Sequence, residues 1–193
     1  MPTWRGLLDG DPLPWLLEAD KPTVRSCALT DLLDRPADDP EVKAARAAIN
    51  ASHPVKPILD AQYPAGYWVK PGPGYSPKYR STVWQVIFLD QLGADGNDPR
   101  IRAACEYILT HTQSPGGGFG CSSSVDLPHP PDSRVLHCLN GNLLRALLGF
   151  GYGAPLQGAP LQGEEERVQR AVEWQARSIT GDGFTHYFKS GTS

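Results

Sequence analysis

The segment Asp98-Pro-Arg-Ile-Arg-Ala-Ala-Cys-Glu-Tyr-Ile-Leu-Thr-His-Thr-Gln113-Ser-Pro-Gly-Gly117-Gly-Phe119 carries the pattern on which the fold turns. Asp98 is a capping residue, and Pro99 follows at the first helical position, where its missing N–H is no loss and its φ is already helical. Ile101, Ala104, Tyr107 and Ile108 then recur at helical spacing, which makes one stripe apolar and leaves Arg102 and Glu106 on the other side. The helix runs out into Gln113, a short spacer, Gly117 and Phe119. A Gln amide can bond the carbonyls left open at a helix end, Gly permits the chain to reverse, and a flat aromatic packs under the turn.

Outward from this segment the same idiom recurs. Asp39-Pro40 precedes Val42, Ala45, Ala48 and Ile49, with Lys43 and Arg46 opposite, and leads on to Gln62-Tyr-Pro-Ala-Gly66-Tyr-Trp68. Glu164, Glu165 and Glu166 occupy a first turn, where the helix dipole favours acids. They precede Val168, Ala171, Trp174 and Gln175, with Gln169 and Arg170 opposite; Gly181, Gly183 and Phe184 follow Gln175 in a looser copy of the turn. Between these amphipathic helices lie Thr23–Leu33, Pro77–Leu92 and Cys138–Phe150, whose apolar residues spread around the cylinder and place them inside. The second of these is expected to open on another capped proline, Ser76-Pro77, and Gly93 and Gly151 stand at helix C-termini. No alternating run of Val, Ile, Thr or Tyr reads as a strand. The expected fold is therefore all-α, with inner and outer helices alternating through about three pairs that bury their faces against neighbouring pairs. A single domain over residues 1–193 is expected, with an inserted loop at 152–165 that contains the tandem duplication Ala154-Pro-Leu-Gln-Gly, Ala159-Pro-Leu-Gln-Gly. Surface loops accept such lengthening at small entropic cost.

Composition excludes several classes. The 193 residues are 40% hydrophobic, enough for a real core, and the 20 Gly and 19 Pro supply the punctuation of many short, hard-stopped elements. Lys and Arg number 18 against 21 Asp and Glu, so the net charge of -3 offers no field that would gather nucleic acid. The longest apolar stretches, around Val83–Leu89 and Leu143–Phe150, are too short to cross a bilayer. Met1-Pro-Thr-Trp-Arg-Gly6 has no secretory character, and the four scattered cysteines suggest free thiols, so a cytoplasmic location is expected.

The repeated Gln-x-x-x-Gly-x-aromatic turn resembles the QW repeats of squalene and terpenoid cyclases, which share an α/α toroid with protein prenyltransferase β subunits. The resemblance runs from about Asp38 to Phe184 and rests on Gln62, Gly66, Trp68, Gln113, Gly117, Phe119, Gln175 and Phe184. The whole chain, including Trp15-Leu-Leu-Glu and Cys138-Leu-Asn-Gly-Asn142, is also similar to uncharacterised bacterial toroid proteins of that superfamily. The resemblance implies a partial toroid that a second copy of the chain or further helix pairs would close, holding an apolar, isoprenoid- or lipid-like ligand. The family's catalytic strings are absent. Asp9-Gly-Asp11-Pro falls short of Asp-x-Asp-Asp, Asp38-Asp39-Pro-Glu-Val does not supply Asp-Asp-x-x-Asp, and Asp132 stands too far from Cys138 to make Asp-x-Cys. An enzyme of cyclase or prenyltransferase type and a non-catalytic helical-repeat scaffold or protein-binding module both remain open.

Three groups could carry binding chemistry. Lys78, Tyr79 and Arg80 are expected to open an inner helix, where backbone N–H groups and two cations would suit a diphosphate head group; solvated surface cations are the plainer reading. Tyr67, Trp68, Tyr75, Tyr79 and Trp84 offer π faces to a cation or an apolar ligand, and serve equally as packing. Cys121, His129, His137 and Cys138 include two thiols and two imidazoles, ligand types for tetrahedral zinc, although their spacing fits no standard module and a buried cysteine commonly acts as a small hydrophobe. Zinc on Cys121, Cys138 and His137 is the one cofactor these residues suggest.

Overall fold

The computed structural model describes residues 8–122, 128–153 and 163–180. Among them the regular structure is helical: α1 (Leu13–Leu16), α2 (Pro22–Cys27), α3 (Pro40–Ala48), α4 (Val55–Asp60), α5 (Thr82–Gln91), α6 (Pro99–His111), α7 (His137–Gly149) and α8 (Glu164–Thr180). A π turn over Ala28–Leu32 prolongs α2, and 3-10 turns cover Ile49–Ala51 and Asp132–Arg134. Extended pairing among the described residues is limited to two isolated bridges, Gln113 with Phe119 and Gly120 with Val135. No helix of the described residues is long and apolar enough to cross a membrane. The chain divides into two compact units, Met1–Asp60 with Leu92–Asp95 and Ala61–Gln91 with Gly96–Ser193.

In the first unit α2 and its π extension pack on α3, around Leu29, Val42 and Ala45, with Leu17 and Leu33 at the margin. Asp39 caps α3 as its sequence requires, its carboxylate accepting from Glu41 N at 2.8 Å and Val42 N at 3.4 Å. The buried stripe is Val42, Ala45 and Ile49; Ala48, expected among them, is exposed because it falls toward the helix's outer side. The short Leu92–Asp95 segment is tied down by Thr23 Oγ1 donating to the Leu92 carbonyl at 2.7 Å and by Asp95 N donating to Asn50 Oδ1 at 2.8 Å.

In the second unit four helices form two layers. α5 packs on both α6 and α7, and α8 also packs on both, so α5 lies beside α7 in one layer and α6 beside α8 in the other. Asp98 caps α6 by accepting from Arg100 N at 2.9 Å. Ile101, Ala104, Tyr107 and Ile108 of α6 and Val168, Ala171 and Trp174 of α8 are buried, each large side chain stabilising the unit by about 1.5–3 kcal/mol. α5 is buried nearly all round through Thr82, Val83, Gln85, Val86, Ile87 and Leu89. α7 is more one-sided than its sequence suggests, since Gly141, Asn142, Arg145 and Leu148 stay exposed. Between α5 and α7, Asp90 pairs with Arg145, and Gly149 leaves room for it: a Cβ there would stand 2.6 Å from Asp90 Oδ1. Burial pushes the Asp90 carboxyl above its ordinary pKa despite the arginine.

One helix start departs from expectation. Ser76-Pro77 does not cap α5, which begins at Thr82. Pro77 instead starts a turn: its carbonyl accepts from Arg80 N, Ser81 N and the Ser81 hydroxyl. Tyr79 in the middle of that turn has φ 64°, a left-handed conformation that no α-helix can contain.

Candidate functional site

The two Gln-Gly-aromatic turns make the same bonds at the same offsets. In the first, Gly66 N donates to Tyr63 O at 2.8 Å and Tyr63 N to Tyr67 O at 2.9 Å. In the second, Gly117 N donates to Ser114 O at 2.9 Å and Ser114 N to Gly118 O at 2.8 Å. Gly66 and Gly117 have φ of 88° and 101°, which glycine alone adopts without strain. Each turn docks on the following outer-layer helix. Gln62 Nε2 donates to the Arg100 carbonyl of α6 at 2.9 Å, and Gln113 Nε2 donates to the Arg167 carbonyl of α8 at 2.7 Å. A Cβ on Gly66 would lie 2.3 Å from Ala103 O, and one on Gly117 would lie 2.7 Å from Arg170 O. In both cases the glycine sits one helical turn beyond the carbonyl that the glutamine holds.

The aromatic of each turn is anchored on the other layer. Trp68 N donates to Thr82 Oγ1 at 3.1 Å, and Phe119 N donates to Asn140 Oδ1 at 3.1 Å. Asn140 is fully buried and spends its amide on Ala171 O at 3.3 Å and Gln175 Oε1 at 2.9 Å. The third motif position behaves differently. Gln175 lies inside α8 rather than beyond its end, because the helix continues to Thr180, and it meets Asn140 instead of a following helix. Gly181, Gly183 and Phe184 lie outside the described residues, as does most of the duplicated loop at 154–162.

Of the proposed ligand-binding residues, Lys78, Tyr79 and Trp84 come together. Trp68 is only 3% exposed and fills the core of its own turn. Trp84 lies 5.3 Å from Tyr75 and 4.9 Å from Tyr79 between ring centroids, and Lys78 Nζ sits 5.6 Å from the Trp84 ring and 5.4 Å from that of Tyr79. Lys78 is thus drawn against π faces rather than against the N-terminus of a helix. Two bonds fix the arrangement: Trp84 Nε1 donates to Tyr75 O at 2.9 Å, and Gln85 Nε2 donates to Tyr79 O at 2.9 Å. Tyr79 is left 58% exposed, and Arg80 beside it is exposed too.

The zinc reading does not assemble. Among the described residues no three His, Cys, Asp or Glu side chains are grouped as a metal would need, and Cys121, His129, His137 and Cys138 are all described. His137 instead packs against Trp174, ring centroids 5.2 Å apart, and Cys138 is exposed on α7. Successive residues at the start of a helix point about 100° apart, which separates these two side chains.

No protein-family model, curated protein or solved structure matches the chain.

Several positions that matter most had faint signals. Thr82 and Asn140 are polar residues in apolar helices, explained by the buried bonds they make to the turns and, for Asn140, to α8. Gln85 could have been read as an oddity on the most apolar helix of the chain. A ladder of rings, Tyr63, Tyr67, Tyr107 and His111, stacks at centroid distances of 4.9, 5.4 and 4.3 Å, joining the first turn to α6. Tyr107 Oη also clamps the intervening loop, accepting from Gly72 N at 2.7 Å.

Proposed function

We propose that this chain is a helical-repeat binding protein of α/α-toroid type, which takes an apolar, isoprenoid- or lipid-like ligand with an anionic end on the surface formed by Tyr75, Tyr79 and Trp84. The observation that carries this reading is the aromatic group itself. Tyr79 is held in a left-handed conformation by the Gln85 amide, with its ring exposed beside Trp84 and a lysine at the edge. Strained, exposed aromatics retained by a buried polar side chain are more typical of binding surfaces than of packing. The matched turns support the toroid-type arrangement, since each binds the outer-layer helix that follows it, as the QW resemblance implies.

Titration of the purified chain with farnesol and with farnesyl diphosphate, read by the fluorescence lost in a Trp84→Phe variant, tests the proposal. Saturable quenching is expected, tighter for the diphosphate, with Tyr79→Ala weakening it about two- to tenfold, the worth of one aromatic contact. Absence of saturable quenching by either probe would overturn it. A second reading, a scaffold without a small ligand, is favoured by the turns alone, because their bonds serve only to hold helices in order.

A further inference from the structure

A cleft of about 290 Å³ lies beside the second turn, lined by residues that the aromatic group does not use. Thr110 of α6, Ser114 of the turn, His129, and Arg167 and Arg170 of α8 all contribute to its wall. Three carbonyls nearby are already taken. Gln113 Nε2 donates to Gly117 O at 2.8 Å and to Arg167 O at 2.7 Å, and Arg170 donates to Pro115 O. Glu106, the one carboxylate bonded to either arginine among the described residues, accepts from Arg167 Nη2 at 2.7 Å.

The wall is therefore rich in donors. Each guanidinium carries five N–H groups in a rigid fork, of which the bonds just described occupy few. Ser114 is 2% exposed, and its hydroxyl is the buried side-chain polar atom that lacks a hydrogen-bond partner among the described residues. A buried hydroxyl left without a partner calls for an explanation, and a bound ion or water is one. Burial, with a smaller contribution from His129, holds the nearby His111 imidazole below its ordinary pKa.

We propose that this cleft binds a small phosphate-type oxyanion, either free phosphate or a phosphate monoester, through Arg167, Arg170 and Ser114. Forked guanidinium donors match phosphate oxygens bidentately, and donors arriving from a turn, a helix and a separate loop suit a tetrahedral anion better than a flat one. The volume stands at the lower edge of small-molecule sites, which suits a small anion. The proposal is independent of the aromatic surface and stands whether or not that surface binds a lipid.

Isothermal titration of the intact chain with sodium phosphate and with glycerol phosphate, in a low-chloride buffer, is the test. One saturable site is expected for at least one of the two probes. Arg170→Lys keeps a positive charge but loses the fork, and should weaken binding about tenfold, as expected for a hydrogen bond to a charged group. Ser114→Ala should weaken binding several-fold while leaving the ligand-free chain at least as stable as before, because it deletes an unpartnered hydroxyl. That split separates a ligand-binding role from a structural one. No saturable binding of either probe, equal affinity for chloride, or unchanged affinity in both variants would each overturn the proposal. Binding to phosphatidic acid vesicles without binding of soluble phosphate would overturn it as well.

Discussion

Replacing Gly66 by Ala tests the docking of a turn on its helix. The added methyl would stand 2.3 Å from Ala103 O and 2.7 Å from Ala103 C, both backbone atoms of α6 that cannot rotate away. Three effects combine. The positive φ of 88° costs about 1–2 kcal/mol once a Cβ is present. Forcing a methyl into a filled interface costs about 1–3 kcal/mol. Moving the turn off α6 also lengthens the bond from Gln62 to Arg100 O, worth about 1 kcal/mol. The expected loss is about 3–6 kcal/mol. Gly72→Ala is the control, because Gly72 has φ 116° but its Cβ would meet nothing within 4 Å, so it should lose only the backbone part, about 1–2 kcal/mol. Urea unfolding followed by tryptophan fluorescence reads the difference, since Trp68 and Trp84 both lie in the affected unit. Equal unfolding midpoints for the two variants would refute the idea that close approach to α6, rather than conformation alone, demands glycine.

Other outcomes follow from the same contacts. Asn140→Ala should destabilise the chain by about 2–4 kcal/mol, since it strands the buried Phe119 N–H and leaves a void, and amide exchange at Phe119 should quicken. Asp90 has a folded-state pKa raised by burial, so it favours the folded state most when protonated. Its contribution is full below 3.8 and is lost as pH rises through the raised value; Asp90→Asn should flatten the stability profile across that window. Tyr152 is pushed up to about 12 by burial, its hydroxyl donating to Arg102 O at 3.2 Å. Ultraviolet titration should show a late tyrosine that disappears in Tyr152→Phe.

What could be read from the residues follows the range of the interaction. Asp39 and Asp98 cap helices through bonds to amides two or three residues on, and a bond that local is written in adjacent letters. Gln62 and Gln113 stood out as motif residues, yet the carbonyls they hold lie 38 and 54 residues further along, so their purpose was misjudged as closing their own helix ends. The Ser76-Pro77 start failed because the letters of a cap and of a tight turn are the same, and the choice fell to Tyr79, whose carbonyl is held by the Gln85 side chain. The cysteine and histidine group looked dense in sequence, but consecutive positions on α7 diverge around its axis and His137 found a tryptophan on α8. The cleft at Ser114 had no short-range signature, since Arg167 and Arg170 reach it from another helix.

The position of α8 is set by the turn that grips its first half and by α7 against its flank, so its placement does not depend on the peptide that leads into it. The doubling of Ala-Pro-Leu-Gln-Gly before α8 adds length at small entropic cost and need not disturb any helix. The same independence makes this junction the natural place to carry a folded insert as cargo, which would leave every bond of the two turns intact.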